Sequence, residues 1–195
     1  MPNNNLSQLL LNFLLQLVPS PDEGIEALLE SMEHRKLVHK EHLVMAGEVA
    51  QSIVFCANGY FRFYHYLPNG TEVTSDFYFA PNVATSYTSF ITRKPSAVYV
   101  QAMEDMEVLT IGHEQLMELY HRYPSVERIG RLMAEQVAIT SEKHLFSLLN
   151  YNAEERYAAL MQEHPEFIQQ IPLHYIASYL GVTPETLSRI RQRIR

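Results

Sequence analysis

Ile171–Arg195, IPLHYIASYLGVTPETLSRIRQRIR, predicts two short helices joined by a tight turn and ending in a run of arginines. Ile176, Ala177 and Leu180 give the first helix an apolar stripe. Gly181 then stands where a helix closes in a left-handed residue, a conformation glycine adopts without a Cβ clash. Thr183 is placed to cap the second helix through its hydroxyl, and Pro184 suits a first helical position, where no N–H bond is needed. Leu187, Ile190 and Ile194 recur at helical spacing and face inward, which leaves Glu185, Ser188, Arg189, Arg191 and Arg193 largely outside. This is the pattern of a helix-turn-helix. The alternative is a terminal helical hairpin whose arginines are only a solvated face. Glycine at the turn, the Thr-Pro start and four arginines with no acid after Glu185 favour DNA.

Working outward, 195 residues suffice for one large or two small domains, and 47% hydrophobic with 19% charged residues is a soluble globular composition. The opening MPNNN lacks the basic region of a signal peptide, and no apolar run reaches membrane-spanning length, so a cytoplasmic protein with no membrane partner is expected. One cysteine, Cys56, rules out an internal disulfide framework and a four-cysteine iron–sulfur cluster within one chain. Set in the apolar run SIVFCA, it reads as a core residue.

The net charge of −7 is unevenly spread. From Tyr151 onward five arginines (156, 189, 191, 193, 195) balance five glutamates (154, 155, 163, 166, 185), and the earlier residues carry the whole −7. An acidic front joined to a locally basic tail is compatible with DNA, because phosphates feel the nearby patch within about a Debye length.

Residues 6–17 (LSQLLLNFLLQL) predict a helix stopped by Pro19 and Pro21, and a second helix runs from about Asp22 to Glu33. From about Leu37 to Gly112 the signals are strands: Ser52–Ala57, Tyr60–Leu67, Thr71–Phe79, Ala97–Ala102 and Glu107–Ile111 are rich in β-branched and aromatic residues. Gly47, Asn58-Gly59 and Pro68-Asn69-Gly70 mark turns. Short strands without intervening helices predict an antiparallel roll or barrel. Helical period returns at His113–Arg122 and then over about Ser125 to Asn150. There Ile129, Leu132, Met133, Gln136, Val137, Thr140 and Phe146 lie near heptad spacing. Such a helix either pairs with its twin in a homodimer or lies on its own roll. Asn150-Tyr151-Asn152 is the expected hinge, and Ala153–Gln162 leads into the C-terminal unit. The domains are therefore expected at 1–123, 124–150 and 151–195.

Two apolar helices, a short-strand roll, a long helix, a hinge and a terminal helix-turn-helix resemble the Crp/Fnr family of bacterial transcription regulators over nearly the whole chain. The residues that carry this are Gly47-Glu48 and Gly59 in the roll, Asn69-Gly70 at a hairpin, and Ile176-Ala177 through Gly181 to Glu185-Thr186 and Arg189. The resemblance implies an α+β chain: a cyclic-nucleotide-binding-like β-roll of jelly-roll type with flanking helices, a long dimerisation helix and the DNA-binding domain. It implies binding as a homodimer to a two-fold symmetric site in double-stranded DNA, with RNA polymerase as a further partner. The β-hairpin wing usual after the second helix is not expected in a chain ending at Arg195.

In family members that bind cyclic AMP, a Gly-Glu pair and an Arg-Ser/Thr pair hold ribose and phosphate. Here Phe79–Ser86, FAPNVATS, lacks the first, and Pro95-Ser96-Ala97 lacks the arginine of the second, whose bidentate grip proline cannot replace. Arg93 and Lys94 do not occupy the matching position. Cyclic AMP is not expected, a different small-molecule effector or none is, and Tyr87, Ser89 and Ser96 are the candidate pocket residues. Of the two arginines that commonly read guanine, only Arg189 remains, with Pro184 beside Glu185. The resemblance assigns Glu185 to a cytosine N4 and Arg189 to guanine O6 and N7, while Thr183, Ser188, Arg191 and Arg193 meet phosphates and Thr186 completes the set.

Other classes find little support. His34, His39 and His42 cluster without the spacing of a metal site, and no metal ligand is assigned. Ser-His-Asp order, a Walker loop and a Gly-rich dinucleotide turn are all missing, so no catalytic residues are expected. The remaining alternative is a ligand-binding or scaffold module of the same fold with a degenerate DNA-binding domain, a reading favoured by Pro184 and the absent wing.

Overall fold

The computed structural model describes residues 4–18 and 20–194, apart from the Asn4 side chain. Pro19, expected to stop the first helix, and Arg195 lie outside the described residues. By packing the chain divides into two units. One holds the residues up to Phe63 together with Phe77–Glu135; the other holds Tyr64–Asp76 together with the residues from Gln136 onward.

The first unit opens with α1 (Asn4–Leu14) and α2 (Glu23–Glu30). Leu6, Leu10 and Leu14, four apart, turn one face of α1 into the core. Asp22 caps α2, its carboxylate accepting the Ile25 N–H at 3.0 Å. That bond, and a second from the Ser125 hydroxyl, hold the Asp22 carboxyl below its ordinary value. The helix expected to reach Glu33 stops at Glu30, and Glu33–Leu37 is already a strand, β1.

Seven further strands follow: β2 (His42–Val44), β3 (Ser52–Cys56), β4 (Tyr60–Tyr66), β5 (Glu72–Phe79), β6 (Asn82–Ala84), β7 (Tyr99–Ala102) and β8 (Met106–Gly112). They form two four-stranded sheets in the orders β1-β8-β3-β6 and β2-β7-β4-β5. The recorded ladders are antiparallel, with Ser52 opposite Gly112 and Cys56 opposite Val108 in β3–β8. Phe55, Phe61, Val100, Val108 and Leu109 fill the interior and are inaccessible to solvent. These sheets form the β-roll, and with the helices the class is α+β.

Between β6 and β7 lies α3 (Tyr87–Thr92), and after β8 come α4 (His113–Arg122) and α5 (Pro124–Asn150). Gly130 lets α4 and α5 close on each other, since a Cβ there would stand 2.2 Å from the Tyr120 hydroxyl oxygen. The first turns of α5 belong to the roll's core through Val126 and Ile129.

The second unit contains α6 (Ala153–Glu163), α7 (Pro165–Gln170), α8 (Leu173–Tyr179) and α9 (Pro184–Ile194). Tyr157, Leu160, Phe167, Ile176, Ala177, Leu187 and Ile190 are among its buried residues. Asn152 caps α6 in a capping box: its side chain accepts the Glu154 and Glu155 N–H groups, and Glu155 accepts the Asn152 N–H. The tip of the β4–β5 hairpin packs in this unit, where the Thr74 N–H donates to Ser178 Oγ on α8 at 2.8 Å.

Candidate nucleic-acid interface

The turn between α8 and α9 is built by local chemistry. Gly181 is left-handed at φ 69°, the Val182 N–H donates to Ala177 O at 2.9 Å, and the Gly181 N–H donates to Ser178 O at 3.0 Å. These are the paired bonds that close a helix on a left-handed residue. Pro184 opens α9, and the Thr186 N–H donates to Thr183 Oγ1 at 3.3 Å, the cap expected of that threonine. Arg156 ties the start of the unit to this turn, donating from Nε and Nη2 to Leu180 O at 3.1 and 2.8 Å. That guanidinium serves the fold.

Leu187 and Ile190 anchor α9 inward. Glu185, Ser188, Arg189 and Gln192, at i, i+3, i+4 and i+7, form one exposed row on the opposite face. Gln192 was not among the residues singled out from sequence, although the same spacing would have found it. Thr186 and Arg193 flank the row on the side of α6, and Arg191 is half-buried on the other side. Pro184 and Thr183 are exposed at the N-terminal end. Glu185 lies four residues before Arg189; its own backbone N–H first, then the Thr183 hydroxyl and Arg189, hold its carboxyl below the ordinary value. Asn152, Glu154, Thr186, Arg189 and Arg193 help line a cleft of about 370 Å3 between α6 and α9.

In the roll, the candidate pocket residues are placed differently. Ser89 is buried; its Oγ accepts the Ala50 N–H at 3.0 Å and donates to Lys94 O at 2.6 Å. Ser96 is buried too, its Oγ donating to Val98 O at 2.6 Å and bonded to the Ser86 hydroxyl at 2.8 Å. Tyr87 is exposed at the start of α3. Arg93 is not available as a substitute phosphate ligand: Nη1 donates to Ala50 O and Nη2 to Gln51 Oε1, both at 2.6 Å. Cys56 is fully buried, and burial pushes its thiol up to about 11. Among the described residues no three His, Cys, Asp or Glu side chains group to hold a metal ion.

On α5, Ile129 is spent on the core of the first unit and Met133 packs against that core. Leu132 and Val137 are half-buried, while Gln136 and Thr140 are exposed. Ile139 and Phe146 continue from Leu132 at seven-residue spacing and are 47% and 55% exposed, with Leu149 at 75% on the next row. The apolar stripe left at the surface is thus rotated from the one that the heptad spacing picked out.

Comparison with known proteins agrees with this geometry. Residues 34–123 match the family model for the cyclic nucleotide-binding domain. The fumarate and nitrate reduction regulatory protein of Vibrio cholerae is 28% identical over 98% of this chain and 78% of its own length. The anaerobic regulatory protein of Haemophilus influenzae is 27% identical over 98% of this chain and 76% of its own. Among solved structures, FixK2 from Bradyrhizobium japonicum superposes with a TM-score of 0.69 at 20% identity, covering 84% of each chain. Matched by the cyclic nucleotide-binding domain model over residues 34–123 and similar along nearly its whole length to these regulatory proteins, the chain has the β-roll, the long helix and the terminal helix-turn-helix that the resemblance to the Crp/Fnr family implies.

Proposed function

We propose that the protein binds duplex DNA as a homodimer and sets α9 of each protomer into successive major grooves of a two-fold symmetric site, about 34 Å apart. The observation that carries this is the exposed row of Glu185, Ser188, Arg189 and Gln192 over a buried Leu187 and Ile190. It holds donors and acceptors out from a rigid helix, as base reading requires. Arg189 reaches guanine O6 and N7, Glu185 accepts from a cytosine N4, and Ser188 shares the same face. Thr183, Arg191 and Arg193 meet phosphates, with Pro184 and Thr186 close to the backbone.

Dimerisation uses α5. Leu132, Ile139, Phe146 and Leu149 supply the apolar contact, and Gln136, Val137 and Thr140 lie beside it. The regulator works in the cytoplasm, where the bound dimer recruits or blocks RNA polymerase. Its effector is not cyclic AMP: Pro95 stands where the phosphate-binding arginine is needed, and Arg93 is engaged by Ala50 and Gln51. The alternative of a ligand-binding or scaffold module loses ground because relatives matched along nearly the full chain are regulatory proteins.

Selection of bound fragments from random-sequence duplex DNA, at roughly physiological salt, tests the reading. Enrichment of a symmetric motif that loses its preference at one base pair of each half-site on Arg189→Ala supports it. Unselective binding that Arg189→Ala leaves unchanged sinks it.

A further inference from the structure

The cations of α9 are not equally available. Arg193, in its last turn, donates from Nη1 to Glu154 Oε1 at 2.6 Å, and Glu154 belongs to the first turn of α6. Both side chains are open to solvent, at 71% and 45%. They stand on the cleft that Asn152, Thr186 and Arg189 also line. Two guanidiniums, a hydroxyl and an amide make a donor-rich recess suited to a phosphate oxygen, and Glu154 supplies the anion from within the chain. The unit has few cations to spare, since Arg156 is committed to Leu180 O.

We propose that Glu154 is an intramolecular stand-in for a DNA phosphate: it pairs with Arg193 in the unbound protein and weakens binding to every DNA sequence. The inference rests on the DNA-binding reading above and goes beyond it by naming a residue that opposes binding. Physically, Arg193 must exchange one anion for another, so its phosphate contact yields little net gain while the carboxylate competes. The charge of Glu154 also stays within a Debye length of the backbone it displaces and repels it. Exposed pairs of this kind are weak, so the effect is a graded reduction of affinity, about two- to fivefold. It acts on all sequences alike, because phosphates carry no base information.

A purely structural role makes a different forecast. An acid in the first turn of α6 favours the helix, and its loss would then cost a little stability and leave DNA untouched. The experiment titrates full-length wild type, Glu154→Gln, Arg193→Ala, the double variant and Arg189→Ala with a random-sequence duplex of about three helical turns, over a series of salt concentrations. Expected is two- to fivefold tighter binding by Glu154→Gln, with a salt slope steeper by about 0.9 per protomer as Arg193 releases one more counterion. In the Arg193→Ala background the same substitution should no longer steepen the slope, and most of the gain should vanish. An unchanged or weaker Glu154→Gln, or an equal gain and slope change without Arg193, overturns the proposal. If wild type binds and selects DNA through Arg189 while Glu154→Gln is neutral, the masking alone fails. If wild type binds no better than Arg189→Ala on any duplex, the DNA reading itself fails.

Discussion

Ser89 in the roll and Ser188 on α9 carry the same hydroxyl in opposite settings. Ser89 is sealed in, accepting from Ala50 and donating to Lys94, so its two bonds stitch α3 to the segments on either side. Ser188 is exposed on the outer row of a helix whose inner row is buried. The acids repeat the contrast. Asp22 spends its carboxylate on the Ile25 N–H and on the Ser125 hydroxyl 103 positions away, whereas Glu185 is exposed and held only by neighbours in its own turn, its backbone N–H, Thr183 and Arg189. A polar side chain consumed by its own fold holds the structure; one that a rigid apolar anchor keeps at the surface is left to recognise something else.

The sharpest way to break this contrast is Ser89→Ala. It strands the buried Ala50 N–H and takes the donor from the part-buried Lys94 carbonyl, and should cost about 2 kcal/mol in denaturant unfolding. The DNA sequence preference of the protein that remains folded should not change. Arg189→Ala is the mirror case. It should lose about 1–3 kcal/mol of DNA affinity and the preference at one base pair, with stability moved by no more than about 0.5 kcal/mol.

Smaller effects sharpen the same division. Asp22→Ala should cost about 1 kcal/mol of stability through the lost cap. Because the folded-state carboxyl lies below its ordinary 3.8, that contribution is fully present above 3.8 and disappears as pH falls through the lower folded value. Unfolding of the variant and wild type should therefore converge in strong acid; a gap that persists there would refute the assignment. Ser188→Ala should leave unfolding unchanged and lower affinity for the selected site by less than about 1 kcal/mol, an exposed hydrogen bond's worth. Smallest of all, millimolar cyclic AMP should not raise the melting temperature, although a ligand at a hundred times its Kd would add about 2.7 kcal/mol.

Much of the architecture is written in short-range pattern. Gly181 with Thr183-Pro184, the Pro68–Gly70 hairpin and the strands around β3, β4, β5 and β8 are legible because turn chemistry and side-chain alternation act between near neighbours in the chain. The outer row of α9 is legible for the same reason, since helical spacing alone brings Glu185, Ser188 and Arg189 together. Where that short range ends, reading from sequence fails. Strand β1 exposes Glu33, His34, Arg35 and Lys36 and has no alternation to read; pairing with β8 makes it a strand. Two apolar stripes wind along α5, and only packing shows that Ile129 and Met133 meet the protein's own core while Ile139 and Phe146 do not. Ala50, which Ser89 and Arg93 both meet, and Glu154, which Arg193 meets, lie 39 to 43 positions away in sequence. Composition and periodicity thus determine the main helices, the strands β3, β4, β5 and β8, and the spacing of the row that α9 offers. Tertiary structure decides which polar groups are already spent, because that depends on pairings between distant segments that no local spacing encodes.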